Sequence, residues 1–254
     1  MNILNDLEIA IPTYKRPHCL RTKTLAMFPP DFKQYIKIYM NDEEDLEYYK
    51  SVFGDEFNDY QWVNTRSNSI GFKRNYIKTL CKKKYLLQVD DDIAGLIGIG
   101  ESKVMCPERV AGTILRGFKH CEEENLHLWG ICPYHNTFYM KKNESKNLKF
   151  ICGGFHGTIT TKVITTPLNA FEDYYNTLNY FKSDGGVLRL NDVGLKTKLF
   201  TNAGGLQSLL GVEGRKKEEE ENADEIVKEF GEKMVRKVYK KRGVDLRLNY
   251  HFKI

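Results

Sequence analysis

The run Leu86-Leu87-Gln88-Val89-Asp90-Asp91-Asp92 sets three consecutive carboxylates directly after a stretch with almost no polar residue. Adjacent carboxylates repel one another, and a cation touching two of them, together with phosphate oxygens and water, relieves that repulsion. In an extended segment alternate side chains share a face, which pairs Asp90 with Asp92 and leaves Asp91 for a partner in the protein or in a sugar. The same triplet also suits a solvated strand end or a helix cap. Position favours the ligand reading, because open α/β sheets bind ligands beyond the carboxyl ends of their strands.

Two further groups lie upstream. Residues 68–75, Asn-Ser-Ile-Gly-Phe-Lys-Arg-Asn, open a helical pattern in which Gly71 allows close backbone approach and the helix start offers free N–H groups. Lys73 and Arg74 add positive charge there, so the segment reads as an anion site. Residues 9–17, Ile-Ala-Ile-Pro-Thr-Tyr-Lys-Arg-Pro, describe a strand that stops at Pro12 and restarts as a helix near Pro17. The loop between them is exposed to a base, a ribose or a phosphate.

Chemistry of this kind needs a scaffold. Residues 7–11, 35–40 and 85–89 are short apolar runs that predict parallel strands, and the last lacks polar alternation, as expected of a strand covered on both faces. Residues 17–28 and 70–81 carry apolar side chains at helical spacing, which gives βαβ winding. Residues 107–124 predict another helix, with Val110, Ile114, Leu115 and Phe118 on one face, followed by a strand over 126–132. Short strands are expected over 148–152 and 158–163 around Gly153-Gly154, then a helix over 167–181 opening with Glu172-Asp173, then a loop-rich stretch over 182–210. A long charged helix is expected over 213–242, acidic at Glu218 to Glu221 and basic at Lys233, Arg236, Lys237, Lys240, Lys241 and Arg242. Its apolar stripe would be Ile226, Phe230, Met234, Val238 and Tyr239.

The 254 residues are 41% hydrophobic and 12% aromatic, which excludes a disordered chain and allows one large α/β domain. A net charge of +5 is compatible with a polyanionic partner without demanding one. The six cysteines form no C-x-x-C pair and read as buried free thiols of a reducing compartment. No apolar run reaches membrane-spanning length and the polar opening lacks a signal-peptide layout, so a cytoplasmic protein with no membrane partner is expected.

Pro12 to Pro17, Asn41-Asp42-Glu43, Gly71 to Asn75 and Asp90 to Asp92 together resemble the donor half of GT-A glycosyltransferases. Cys152-Gly153-Gly154-Phe155-His156-Gly157 and Phe171-Glu172-Asp173-Tyr174 look like the Gly-Gly and Glu-Asp signatures of that fold's acceptor half. With residues 184–192 and 201–207 the whole is similar to the TET-associated glycosyltransferases, a phage group linked to sugar addition on hydroxymethylated pyrimidines in DNA. The resemblance implies an α/β fold: a single GT-A-like (Rossmann-like) domain over 1–254, a mixed sheet flanked by helices with a long charged C-terminal helix. Within it, 1–105 would be the nucleotide-sugar donor half, 106–212 the acceptor half and 213–254 the C-terminal helix and tail.

The implied activity is metal-dependent transfer of a sugar from a nucleoside-diphosphate donor, UDP being expected, to the hydroxyl of 5-hydroxymethylcytosine in DNA, in the host cytoplasm if the chain is phage-encoded. Pro12, Thr13 and Arg16 would contact the nucleotide, Asp42 its base or ribose, and Gly71, Lys73 and Arg74 the diphosphate or uracil side, with Asp91, Gly153 and Gly154 completing the donor site. Asp90 and Asp92 would hold Mn2+ or Mg2+. Glu172 and Asp173, Asp173 foremost, would supply the general base, although an acidic first turn also answers the helix dipole. A histidine ligand common near the end of such folds has no match around Asn202, which leaves His251 and His156 as substitutes.

An enzyme acting on a base in DNA needs cations for the backbone and aromatics for the base. Lys141, Lys142, Lys146, Lys149 and the basic end of the last helix suit the first role, and Trp129, Tyr134, His135, Phe138 and Tyr139 the second. A transferase with a glycan or protein acceptor, a non-catalytic DNA-binding module and a metal-dependent nucleotidyltransferase are the competing readings.

Overall fold

The computed structural model describes residues 3–67, 69–197, 207–241 and 243–253. Its elements in chain order are β1 (Leu7–Pro12), α1 (Pro17–Cys19), β2 (Ile36–Met40), α2 (Glu43–Phe53), β3 (Gln61–Asn64), α3 (Ile70–Leu80), β4 (Tyr85–Val89), β5 (Gly95–Gly98), α4 (Pro107–Glu123), β6 (Leu128–Cys132), β7 (Glu144–Ser145), β8 (Phe155–Ile159), α5 (Glu172–Asp184), β9 (Leu188–Lys196), α6 (Gln207–Phe230), β10 (Val235–Lys240) and β11 (Gly243–Leu248). Nine strands form one sheet in the order β3-β2-β1-β4-β8-β6-β9-β5, with β7 on β9.

The first four strands of that order are mutually parallel. β8 runs antiparallel between β4 and β6. The architecture is thus a mixed α/β sheet flanked by helices. Every residue of β1 and of β4 is buried, including Glu8 and Gln88, which explains why their sequences lack polar alternation. Glu8 tolerates burial because Lys37 and the Tyr39 hydroxyl both donate to it, at 2.5 and 2.9 Å.

Several sequence expectations need correction. The stretch over 182–210 contains β9, the longest strand of the sheet, whose Arg189, Asn191 and Asp192 disguise it as loop. Those polar groups are satisfied laterally: Arg189 donates to Asn191 at 2.7 Å, and Asn191 donates to Ser145 at 2.6 Å. Residues 198–206 of the same stretch, with the segment around Asn202, lie outside the described residues, as do Asn68 and Arg242.

The charged C-terminal helix ends at Phe230 rather than continuing to 242. Gly231, at φ +79°, caps it by donating to the Val227 carbonyl, and an antiparallel hairpin of β10 and β11 follows. Met234 and Val238 sit four residues apart by coincidence; the β-branched Val235, Val238 and Val244 and the turn at Gly243 carried the strand signal. Residues 17–28 form a succession of short helical turns in place of one helix. No strand forms over 148–152, and the expected strand over 158–163 lies earlier, at Phe155–Ile159. Cys106 is exposed, whereas Cys121, Cys132 and Cys152 are buried. No described helix is long and apolar enough to cross a membrane.

Trp129, expected to line a cleft, is wholly buried and packs edge-on against Phe118 and Phe155. Gly117 of α4 makes room for it: a Cβ there would lie 2.4 Å from the indole. Alanine in mid-helix ordinarily gains up to about 1 kcal/mol over glycine. Here overpacking wins, and Gly117→Ala should lower stability by about 1–3 kcal/mol in urea denaturation followed by circular dichroism.

Candidate active site

Beyond the carboxyl ends of β1 and β4 opens a cavity of about 430 Å³. Its walls include Pro12, Thr13, Arg16, Lys73, Arg74, Asp90, Asp91, Asp92, Gly153, Gly154, Glu172 and Asp173. Segments far apart in sequence therefore meet at one place. Of the donor-site residues expected from sequence, Asp42 and Gly71 do not line it, and of the expected acceptor-cleft aromatics and His135 only Tyr134 does.

The aspartate triplet is not extended. β4 ends at Val89 and a turn follows at Asp91 and Asp92, with Thr24 Oγ1 donating to the Asp90 carbonyl at 2.8 Å and accepting from the Ile93 N–H at 3.0 Å. Strict alternation therefore fails, and the carboxylates divide differently from expectation. Asp90 accepts from Arg74 Nη2 at 2.7 Å, while Asp91 and Asp92 share Arg16 Nη1, each at 3.3 Å. Asp91 is buried, and Thr13 Oγ1 donates to it at 2.6 Å. Burial, partly offset by Arg16, raises its pKa to about 6.

Thr13 is itself held. Its N–H donates to the Tyr39 carbonyl, and its hydroxyl, already committed as a donor to Asp91, accepts from the Tyr49 hydroxyl at 2.5 Å. The Tyr49 oxygen also accepts from the Arg16 N–H at 3.1 Å. Asp45 secures the rest of the loop by accepting from the N–H groups of Lys15 and Asn41, each at 3.2 Å. Lys15 sits at φ +53°, which makes that support necessary. Tyr49 and Asp45 were missed in the sequence because α2 was not recognised. Asp42, expected on the base or ribose, is the N-cap of that helix and accepts from the Asp45 N–H at 2.9 Å.

The start of α3 also differs from expectation. Its first-turn N–H groups are already used: Gly71 donates to Asn169 Oδ1 at 3.3 Å, Phe72 to Ser69 Oγ at 3.1 Å, and Lys73 to the Ser69 carbonyl at 3.0 Å. Gly71 serves packing, since a Cβ would lie 2.1 Å from the Leu168 carbonyl oxygen. Lys73 is buried beneath the Thr13 loop and donates to the Thr13 carbonyl at 2.6 Å. Desolvation lowers its pKa to about 8, so it stays cationic at neutrality.

Arg74 is the centre of the site. It is buried, and besides Asp90 it binds Glu172 Oε1 through Nε at 3.1 Å, while its buried Nη1 has no partner among the described residues. A Cβ on Gly153 would come within 2.8 Å of Arg74 Nη2, and one on Gly154 within 3.4 Å of Asp90 Oδ2. The Gly-Gly pair is thus what lets the guanidinium and the carboxylate approach.

Glu172 and Asp173 are aimed by the residue before them. Phe171, the N-cap of α5, adopts a left-handed conformation at φ +59°, an outlier for a bulky residue of the kind found at functional sites. Asp173 accepts from the Gly153 N–H at 3.1 Å and the Tyr174 N–H at 2.9 Å. Burial first, and the neighbouring Glu172 second, push its pKa up to about 7; burial also raises that of Glu172.

Neither substitute histidine lines the cavity. His156 is buried with its ring hydrogen-bonded to the Gly153 carbonyl at 3.0 Å, and burial beside Arg74 and Lys78 keeps it neutral. His251 is exposed near the C-terminus. Among the described residues no three His, Cys, Asp or Glu side chains gather as a cation cage. Asp90 and Asp92 do fit a hard cation that takes two carboxylates and leaves its other positions to phosphate oxygens and water. Asp90 is 37% exposed and uses only Oδ1 on Arg74. The cavity has a further wall from α6, at Arg215, Glu218 and Glu219, with Asn169 donating to Glu218 at 3.1 Å.

No protein-family model matches the chain, and no curated protein matches it in sequence. Among solved structures it is similar to a mannosyltransferase from Pyrobaculum calidifontis in complex with GDP-Man and Mn2+, with a TM-score of 0.60 and 10% identity over 88% of this chain and 64% of that one. It is similar to residues 1–349 of S. aureus TarS in complex with UDP-GlcNAc, with a TM-score of 0.55 and 16% identity over 87% of this chain and 66% of that one. It is also similar to glucosyl-3-phosphoglycerate synthase from Mycobacterium tuberculosis in complex with Mn2+, UDP and glucosyl-3-phosphoglycerate, with a TM-score of 0.54 and 10% identity over 96% of this chain and 87% of that one. This chain spans 59% of the length of a further TarS chain that it matches. At these identities the likeness is one of fold, the GT-A architecture.

Removing Arg74 would strand Glu172 and Asp90 around an uncompensated void. Arg74→Met should cost about 3–5 kcal/mol at neutral pH. The deficit should shrink on acidification, because Glu172, its pKa already raised, then takes a proton and loses its charge. Urea titrations from neutral to acid pH measure both.

Proposed function

We propose that the chain is a metal-dependent glycosyltransferase that moves a sugar from a nucleoside-diphosphate donor, UDP by preference, to a hydroxyl acceptor. The observation that carries this reading is one cavity holding a carboxylate poised near neutrality, Asp173, and the Arg74 bridge between Asp90 and Glu172. The fold shared with nucleotide-sugar enzymes supports it. Thr13, Arg16 and Lys73 would line the nucleotide side, and Arg74 Nη1, without a partner among the described residues, is a donor suited to a diphosphate or sugar oxygen.

Asp90 and Asp92 would hold Mn2+ or Mg2+, whose charge offsets that of the leaving diphosphate. Arg16, now shared by Asp91 and Asp92, would be released toward the same phosphates. Asp173 takes the proton of the acceptor hydroxyl as its oxygen bonds to the anomeric carbon. The bond from that carbon to phosphate breaks, and the nucleoside diphosphate leaves with the electron pair. Glu172 keeps Arg74 in place and, by its own charge, makes Asp173 more basic.

For the acceptor we propose the hydroxymethyl group of 5-hydroxymethylcytosine in DNA, in keeping with the resemblance to the TET-associated glycosyltransferases. Exposed Tyr134, Phe138 and Tyr139 next to the cavity support this choice, since aromatic faces suit an unstacked base. Incubation with UDP- and GDP-sugars and hydroxymethylated DNA, unmodified DNA or glycans, followed by mass analysis of the products, tests it. Sugar found only on glycans removes the DNA acceptor, and release of pyrophosphate in place of a nucleoside diphosphate removes the transferase.

Asp173→Asn should lower turnover by about 10²–10⁴-fold while donor binding, measured calorimetrically, persists. In the unsubstituted enzyme the rate should rise with pH through about 7, because only the ionised carboxylate accepts a proton. A profile flat across that range assigns the base elsewhere.

A further inference from the structure

A second cavity, of about 350 Å³, lies in the C-terminal hairpin and is lined by Glu232, Arg236, Arg247, Asn249, Tyr250 and His251, among others. Arg236 of β10 and Arg247 of β11 stand directly opposite each other in the register. Like charges so placed across a strand pair are destabilising. Neither arginine has a carboxylate within salt-bridge distance among the described residues, although Glu232 shares the cavity. Among the cations nearby, Lys237 is neutralised by Glu220 and Asp224, Lys240 by Asp245, and Lys146 by Glu124, whereas the exposed Lys233 and Lys241 have no such partner among the described residues. An unneutralised pair facing one cavity calls for an anion.

The cavity shares no lining residue with the main one, but Tyr250 on its wall lies within electrostatic reach of Tyr134, which lines the main cavity. Lys149 stacks its ammonium 3.8 Å from the centre of the Tyr250 ring and, like the two arginines, has no carboxylate partner among the described residues. Burial, and after it the charges of Arg189 and Lys141, lower its pKa. Tyr134 also lies within electrostatic reach of Lys240. Tyr134 and Tyr139 have ring centres 6.0 Å apart, and Phe138, 81% exposed, packs edge-on to Tyr139. Unpaired cations followed by exposed aromatic rings make the pattern of a platform for single-stranded nucleic acid, in which the backbone meets charge and the bases stack.

We propose that Arg236, Arg247 and Lys149 grip the phosphodiester backbone of a single-stranded DNA acceptor, whose neighbouring base passes Tyr134 into the active-site cavity. This deepens the DNA-acceptor reading and rests on it for the identity of the reacting base. The grip itself needs no sugar transfer and is measured without a donor.

The experiment is fluorescence anisotropy of a labelled single-stranded oligonucleotide with the full chain, titrated at several salt concentrations. Arg236→Gln combined with Arg247→Gln should bind at least about tenfold more weakly at low salt, with the salt slope reduced by about 1.4. Its melting temperature should be equal or higher, because a like-charge pair is removed. Lys33→Gln combined with Lys50→Gln, which removes two cations already neutralised by Asp59 and Glu47, should change affinity less than about twofold. An abasic strand of equal length should bind about tenfold more weakly than one with bases.

Unchanged affinity in the arginine variant overturns the proposal, as does a duplex or an abasic strand bound as tightly as the single strand. If sugar reaches hydroxymethylated DNA while that variant binds normally, this surface is wrong and the proposed function stands. If binding depends on the two arginines while sugar is found only on another acceptor, the surface stands and the proposed function falls.

Discussion

A fully buried guanidinium has to be answered by carboxylates, and Arg74 recruits them from two segments that share no local structure. Asp90 comes from the end of β4 and Glu172 from the first turn of α5, sixteen and ninety-eight residues away. The desolvation of so many charges is severe, and it is offset only because short, charge-assisted hydrogen bonds are made at the same time. The constraint spreads outward. Gly153 must lack a side chain, α3 must be seated with Gly71 against the Leu168 carbonyl, and Phe171 must adopt a left-handed conformation. Each of these features makes little sense apart from the arginine they accommodate.

On the other side of the cavity the same logic works through neutral groups. Tyr49 donates to Thr13, Thr13 donates to Asp91, and Arg16 closes the loop by reaching Asp91 and Asp92. The chain of bonds fixes a loop that carries Lys15 at positive φ and would otherwise be free to rearrange. Taken together, seven carboxylates, Asp90, Asp91, Asp92, Glu172, Asp173, Glu218 and Glu219, line the cavity with four cations, Arg16, Lys73, Arg74 and Arg215. Burial first, with the neighbouring carboxylates adding to it, raises the pKa of Asp91 and Asp173, while Arg16 and Arg74 oppose the rise.

Where side chains obey one dominant local rule, sequence and structure agree. Leu86, Leu87 and Val89 form a buried strand because an apolar run of that length has nowhere else to go, and Pro107 with its spaced apolar residues opens α4 as expected. Disagreement arises where two local rules compete. Met234 and Val238 satisfy a helical period and a strand propensity at once, and Gly231 decides for the strand by ending α6. β9 escaped notice because Arg189 and Asn191 look solvated until Asn143 and Ser145 are brought beside them. Trp129 was expected in a cleft, and the missing side chains of Gly117 and Gly157 settle it in the core.

By itself the amino-acid order determined the α/β class, three of the four parallel strands over the first ninety residues and the types of group available for chemistry, since periodicity and side-chain chemistry are local properties; β3, Gln61–Asn64, escaped it. It could not determine which charge faces which. That Asp90 answers Arg74 while Asp91 and Asp92 share Arg16, that Asp42 caps a helix, and that Glu172 lifts the basicity of Asp173 were decided only by the tertiary structure. Coulombic and desolvation energies depend on distance and burial in space, and neither quantity is written in the spacing of residues along the chain.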